Sequence, residues 1–393
     1  MEYDYVKYYN FFELFIRDEI NINEFRTPLT PNDVYNLINI GKYIVYVESS
    51  EKRVYSDKEY KDCGAIITTN KWFNHKFDCD DKNNILIIGL KEFPNEYQYL
   101  NGHHHLYFSH TFKNQVGSDL ILGAFKKSRS FIYDFEYFTK KLLKREERII
   151  SFGFHSGIVG GFLGILQLYK KYINTDLIKL KPWLSMKDML NEINYYCNDI
   201  YINLLNKING LNGNNGLNGN KLNIGIIGAN GRCGRGVCYI LNKLCIHYTI
   251  IDKHFDKTKF TDFDIFYNCI LLDKKCNEVF FDKNTCFYKK ICIVDISCDN
   301  QSPNNPIKLY NDNSTWNEPI IKYNDNCSII SISNLPSLLP KDSSDFFSKH
   351  CYEILFGIKR ENESKDSKIN ESWYDIWKRA ILYYYNVIQI DKM

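Results

Sequence analysis

Residues 223–252 constrain the fold of this chain more than any other stretch. NIGIIG (223–228) is an apolar run suited to a buried strand, and GANGRCGRG (228–236) turns on glycines. VCYILNKLCI (237–246) has helical spacing, and HYTIID (247–252) is a second strand ending in an acid. Further strand-like runs follow at DIFYNCIL (264–271) and ICIVDIS (291–297). Strands alternating with helices in this way predict a parallel, doubly wound α/β sheet. Gly228, Gly231 and Gly234 have the spacing G-x-x-G-x-x-G, a variant of the G-x-G-x-x-G dinucleotide fingerprint. Glycine there permits a tight turn and lets the N–H groups opening the helix approach a pyrophosphate. Asp252 ends the second strand, where a carboxylate accepts the ribose hydroxyls and repels a 2′-phosphate, favouring NAD over NADP. A tight structural turn with a solvated aspartate is the competing reading of the same residues.

Composition narrows the class further. Of 393 residues, 44% are hydrophobic and 25% charged, enough apolar material for a sizeable core. The net charge is +3, with no basic stripe, so neither a nucleic-acid partner nor a membrane-surface anchor is expected. The 30 tyrosines and 26 phenylalanines fit an AT-rich coding bias and make those residue types weak evidence. The 13 cysteines contain no C-x-x-C pair, and MEYDYVKYYN has no apolar signal core; reduced thiols in a cytoplasmic setting are expected. Ile149–Leu168 is almost long and apolar enough for a membrane span, but its glycines, His155 and Ser156 fit a buried helix better. His103, His104 and His105 are consecutive and cannot converge on one ion, so no metal is expected and the run reads as a surface loop.

The first 150 residues also have α/β patterning, with strands expected at KYIVYVES (42–49), ILIIGL (85–90) and FIYDF (131–135). Thr30-Pro31 opens a helix that Gly41 closes, and Glu24 and Arg26 lie in the turn before it. Lys91-Glu92 follows a buried strand, where α/β ligands bind, and a lysine there can be tuned to act as a base. His110 and Lys113 come shortly after. Each of these polar residues also has a structural or solvated explanation. NGLNGNNGLNGN (209–220) reads as a flexible insertion. Two helices, about 343–357 and 372–389, close the chain with apolar stripes expected to pack in the core.

Taken together, EFRTPLTP (24–31), IIGLKEFP (87–94), SHTFKNQ (109–115), YDFEYF (133–138), RIISFGFHSGIVGGFLG (148–164), IIGANGRCGRG (226–236), VDISCDNQSPNNPI (294–307) and SISNLPSLLPKDSSDFFS (331–348) resemble one family, saccharopine dehydrogenase (NAD+, L-lysine-forming), of the fungal lysine pathway. The segments occur in family order over nearly the whole chain. The resemblance implies a two-domain, alanine-dehydrogenase-like α/β architecture with a cleft active site. A substrate domain would comprise 1–150 plus 340–393, and a Rossmann NAD-binding domain 151–339. It implies the conversion of saccharopine to lysine and 2-oxoglutarate in a cytoplasmic, monomeric enzyme.

By position, Lys91 matches the base for the secondary amine and His110 the acid–base for imine hydrolysis. Arg26, Lys113 and Arg148 match cations around the substrate carboxylates, with Glu92, Glu136, Phe152, Ser297, Cys298 and Asp299 lining the substrate pocket. Gly228, Gly231, Arg232, Gly234, Asp252, Leu271, Ile296, Ile332, Ser333, Asn334 and Leu335 match the NAD site. Cys233 and Cys269 match a pair able to form a disulfide in this family. Ser333-Asn334 stands where the family often has an aspartate, and Glu147-Arg148 where it often has paired arginines. An alanine-type amino-acid dehydrogenase and an inactive NAD-binding homologue are the alternatives.

Overall fold

A computed structural model describes residues 11–93, 95–112, 117–142, 145–172, 175–195, 222–272, 278–298, 300, 304–361 and 371–390. The 209–220 insertion, Lys113 and Asp299 lie outside them. The chain divides into two compact units, Met1–Ser151 with Ser343–Met393, and Phe152–Asp342.

The first unit opens on β1 (Glu13–Ile16), α1 (Pro31–Asn39), β2 (Ile44–Glu48), α2 (Asp57–Asp62), β3 (Ile66–Thr68), β4 (Ile85–Ile88), β5 (His104–Tyr107), α3 (Ser118–Ser128) and β6 (Phe131–Asp134). These strands form one parallel sheet ordered β3-β2-β1-β4-β5-β6. β1 and β4 are buried along their length, and apolar apart from Glu13, as expected for central parallel strands covered on both faces. A hairpin, β7 (Thr139–Leu142) with β8 (Arg145–Arg148), follows. Thr30 caps α1 by accepting from the Asp33 N–H, with Pro31 at the first helical position. Gly41 does not supply the left-handed residue after this helix; Lys42 does, at φ 57°. Gly41 gives room instead, because a Cβ there would meet the Leu37 carbonyl oxygen at 2.8 Å.

The histidine run departs from expectation. Far from forming a surface loop, it enters β5, and His103, His104 and His105 are only 7%, 0% and 1% exposed. Alternation along the strand sends His103 and His105 to one face, edge-on to Trp72 at 5.0 and 4.9 Å. His104 goes to the other, stacked on Phe131 at 4.5 Å with Nδ1 3.0 Å from the Tyr133 hydroxyl. Neutral imidazoles here substitute for aromatic core residues. Burial pushes His103 down to about 4 and His104 to about 3, with the Lys82 and His103 charges respectively adding to the effect; His105 is held well below its usual range for the same first reason.

The second unit opens on α4 (Gly153–Tyr172) and α5 (Met186–Tyr195). It continues through β9 (Ile224–Ile227), α6 (Arg232–Lys243), β10 (Thr249–Ile251), β11 (Ile265–Asn268), β12 (Ile291–Asp295), β13 (Ile321–Lys322) and β14 (Cys327–Ile330). The sheet order is β10-β9-β11-β12-β14-β13, parallel except for β13. The apolar stretch at 149–168 is the buried helix α4. Its glycines let α6 pack backbone to backbone: a Cβ on Gly157 would lie 1.9 Å from the Cys233 carbonyl oxygen, and one on Gly236 2.0 Å from that of Phe154. No described helix is long and apolar enough to cross a membrane.

The chain returns to the first unit along α7 (Pro340–Glu361) and ends with α8 (Trp373–Ile390). The buried serines of α7 hold the turn that carries Arg26. Ser344 Oγ accepts from the Thr27 N–H at 3.0 Å, and Ser348 Oγ from the Thr30 N–H at 2.7 Å. On α8, Trp377 donates to the Ile354 carbonyl at 3.1 Å, and its ring meets Phe11, Tyr133 and Phe138. Phe347 of α7 and Trp377 and Tyr384 of α8 thus pack in the core, whereas Phe346 and Tyr383 are exposed.

Candidate active site and dinucleotide turn

In the first sheet the strand order reverses between β1 and β4, and open α/β sheets bind ligands beyond the carboxyl ends of strands at such a point. Glu24, Arg26 and Lys91 come together there. The ladder between β4 and β5 runs on past the strands through Gly89 N–H to Leu106 O and Phe108 N–H to Leu90 O, both at 3.0 Å. Lys91 and His110 thus leave neighbouring strands at the same edge, one and two residues beyond the last ladder bond.

Glu24 and Arg26 are 1% and 2% exposed. Arg26 donates through Nε and Nη2 to the two oxygens of Glu24 at 2.6 and 2.5 Å, a bidentate pair. Burial acts to raise the Glu24 carboxyl, but the Arg26 charge and hydrogen bonds, with the Lys91 charge, outweigh it and hold the group below its usual range. Lys91 is pushed down from the usual lysine value by burial first and by the Arg26 charge second, against Glu24, Glu92 and Glu19. A lysine so placed gives up its proton more readily than one in water. Glu92 is exposed and accepts from Asn21 Nδ2 at 3.3 Å.

His110 adopts φ 53°, a left-handed conformation that costs energy for a non-glycine residue. Its ring stacks on Phe108 at 6.1 Å. The preceding residue anchors this bend: Ser109 donates to Asp134 Oδ2 from its backbone at 3.1 Å and from its hydroxyl at 2.6 Å. Asp134, fully buried at the end of β6, also accepts from the Glu136 N–H at 2.8 Å. Burial pushes its carboxyl up to about 6 despite these bonds. Glu136 pairs in turn with Arg148 Nη1 at 3.2 Å.

The dinucleotide turn lies at the corresponding reversal of the second sheet, between β9 and β11. Gly228 has φ 82°, and its carbonyl accepts from the Gly231 N–H at 3.0 Å. Gly231 is the N-cap of α6. A Cβ on Gly234 would lie 2.1 Å from the Gly228 oxygen and 2.5 Å from Ala229 Cα, so no side chain fits. Arg232, half-buried, is the first residue of the helix. Asp252 is exposed directly after β10 and accepts from the His254 N–H at 2.9 Å. Tight turn, helix N-terminus and acid together fit the pyrophosphate and ribose of a dinucleotide.

Ser297 and Cys298 lie in the loop after β12, where buried Asp295 accepts from the Ser297 hydroxyl at 2.6 Å, Asn268 Nδ2 at 2.9 Å and the Tyr310 hydroxyl at 2.6 Å. By contrast, Ile296 and Leu335 turn their side chains onto Gly160 of α4. Ile332 and Phe152 are buried, whereas Leu271 and Ser333 are exposed and Asn334 is half-buried. Cys233 and Cys269 are free thiols. Burial pushes Cys233 up to about 11 and Cys269 well above its usual range, the nearby Cys233 adding to the latter. Among the described residues no cluster could hold a metal ion.

Sequence reasoning missed Arg17, Glu19, Asp134 and Asp295. A charged residue immediately after or closing an apolar strand was the available signal: FIRDE (15–19), IYD (132–134) and IVD (293–295).

A family model described as alanine dehydrogenase/PNT, N-terminal domain, matches residues 15–159. Among solved structures, an L-alanine dehydrogenase superposes with a TM-score of 0.61 at 12% identity, over 89% of this chain and 91% of that one; at that identity the likeness speaks for the fold alone. Saccharopine dehydrogenase [NAD(+), L-lysine-forming] of Candida glabrata is 32% identical over 354 residues, covering 85% of this chain and 88% of the relative. The Yarrowia lipolytica protein of the same name is 31% identical over 94% and 95% of the two chains. With a switch-point lysine, a dinucleotide turn and near full-length relatives of one name, the chain belongs to the saccharopine dehydrogenase (NAD+, L-lysine-forming) family.

Proposed function

We propose that this chain catalyses the NAD-dependent reaction saccharopine + NAD+ + H2O giving L-lysine, 2-oxoglutarate, NADH and H+. The observation that carries the proposal is Lys91: a half-buried lysine at the switch point beside Arg26 and Glu24, its proton loosened by desolvation and by the Arg26 charge. NAD, when bound, accepts the hydride from the carbon bearing the secondary amine. That transfer requires a neutral nitrogen, and Lys91 Nζ takes its proton. Water then adds to the resulting imine carbon, and the C–N bond breaks as the lysine amine leaves with a proton. His110 moves the protons of these steps, since imidazole can both give and take a proton near neutral pH.

The three substrate carboxylates call for cations, and Arg26, Lys113 and Arg148 are assigned to them. Glu24 fixes the plane of the Arg26 guanidinium, so that little side-chain entropy is lost on binding. Glu136, paired with Arg148 Nη1 at 3.2 Å, is assigned to the substrate pocket beside it. Glu92 and Phe152, with Ser297, Cys298 and Asp299, are assigned to the substrate pocket. The glycine turn and Arg232 take the pyrophosphate, Asp252 the adenosine ribose, and Leu271, Ile296 and 332–335 the rest of the dinucleotide.

The proposal is tested by NADH consumption, followed at 340 nm, with lysine and 2-oxoglutarate together and each alone. Oxidation that needs both supports it; none at micromolar enzyme refutes it.

A further inference from the structure

The peptide that carries Lys91 is held from the neighbouring strand by two buried charges to which the proposed chemistry gives no role. The chain leaves β1 through Arg17-Asp18-Glu19 and leaves β4 through Gly89-Leu90-Lys91. Arg17 and Glu19 are 3% and 4% exposed. Glu19 accepts from the Leu90 N–H at 2.6 Å and, on its other oxygen, from the Lys91 N–H at 2.9 Å. Arg17 Nη2 donates to the Lys91 carbonyl oxygen. The two side chains face each other at 3.7 Å, and the guanidinium lies over the Tyr107 ring at 5.8 Å.

The arrangement also accounts for Gly89. A Cβ there would meet Arg17 Nε at 2.1 Å and Cζ at 2.4 Å, so the guanidinium occupies the space a side chain would need. A buried ion pair is weak evidence of stabilisation, because well-packed apolar residues commonly serve as well. Both backbone polar groups of Lys91 end on this pair, which fixes the peptide from which its side chain projects.

We propose that Arg17 and Glu19 are positioning residues: a buried clamp, seated over Gly89, that sets the backbone of Lys91 and so places its amine for proton abstraction. The proposal rests on the assignment of Lys91 as the base. Neither clamp residue touches substrate in this account.

The test uses the full chain with Glu19→Gln, Arg17→Lys and Gly89→Ala, beside Lys91→Met. For each, kcat, KM for saccharopine, NADH affinity by fluorescence and the pH profile of kcat/KM are measured. Glu19→Gln keeps the shape but turns an N–H donor toward a backbone N–H. Arg17→Lys keeps the charge but loses the reach across Gly89. Gly89→Ala disturbs the seat without altering any charge. All three are expected to lower kcat at least ~10-fold while leaving NADH affinity unchanged, because a displaced general base loses alignment in the reacting complex. The charged groups acting on Lys91 are Arg26, Glu24, Glu92 and Glu19. Removing a carboxylate from that set moves the acid limb of kcat/KM to lower pH in Glu19→Gln, and Gly89→Ala leaves the limb in place.

Folded clamp variants with wild-type kcat and an unshifted limb, beside an inactive Lys91→Met, overturn the clamp alone. Normal turnover in Lys91→Met overturns the assignment of the base and the clamp with it. If Glu19→Gln does not fold, kcat in Arg17→Lys decides.

Discussion

Acid should destabilise the first unit through its buried histidines, and the effect can be sized. In the unfolded chain each imidazole takes a proton near its ordinary pKa, about 6.5. In the fold His103 does so only at about 4 and His104 at about 3. The unfolded chain therefore binds these protons first. The stability due to neutral burial is fully present above pH 6.5 and is lost as pH falls toward each folded value. Between pH 7 and pH 5 the loss is about 2 kcal/mol per histidine, or ~4 kcal/mol for the two. His105 acts in the same direction. A domain is typically stable by about 5–15 kcal/mol, so acid should remove a large part of it.

Asp134 works the other way. Burial raises its folded pKa to about 6, so its contribution is present below the unfolded value and is lost as pH rises through 6; over the same interval it returns roughly 1 kcal/mol. The test is therefore a difference between proteins. Urea unfolding followed by tryptophan fluorescence, which reports on buried Trp72 and Trp377, is compared at pH 7 and pH 5 for the native chain and His104→Phe. Phenylalanine keeps the stack on Phe131 and removes the titration. The variant should lose ~2 kcal/mol less than the native chain on acidification. An identical loss in both would refute the neutral, buried histidine.

Three further outcomes are expected. Lys91→Met and His110→Gln should each lower turnover by roughly 10²–10⁴ with NADH affinity retained; near-normal rates in both would reject the assigned roles. Gly234→Ala should weaken NADH binding at least ~10-fold in a fluorescence titration, since a loss of about 1.4 kcal/mol suffices and its Cβ would strike Gly228 and Ala229 backbone. Asp252→Ala should raise the ratio of kcat/KM with NADPH to that with NADH by at least ~10-fold, because it removes the carboxylate that repels a 2′-phosphate.

The residues show why part of this was legible in sequence. β9, β10, β11 and β12 announce themselves as apolar runs in alternation with a helix, and glycines mark the turn because backbone approach leaves no alternative there. Thr30-Pro31 gave the start of α1 through capping chemistry that is local to four residues. Long-range accounting is what a single sequence does not carry. That Ser344 and Ser348 satisfy the backbone at Thr27 and Thr30 from more than 300 positions away, and that Glu19 holds Leu90 and Lys91, depends on strand order. The histidine run reads as a surface loop when its imidazoles are weighed only as metal ligands; neutral and stacked, they fill a strand as aromatic residues would.

The most direct test of the central claim sets two substrate pairs against each other on one preparation. kcat/KM for reductive amination is measured with lysine and 2-oxoglutarate, and with ammonia and pyruvate, the pair an alanine-type dehydrogenase would use. The account predicts that the first exceeds the second by at least ~10³, since ammonia and pyruvate forgo most of the carboxylate contacts by which the site binds the larger pair in the transition state. A preference for ammonia and pyruvate would contradict it.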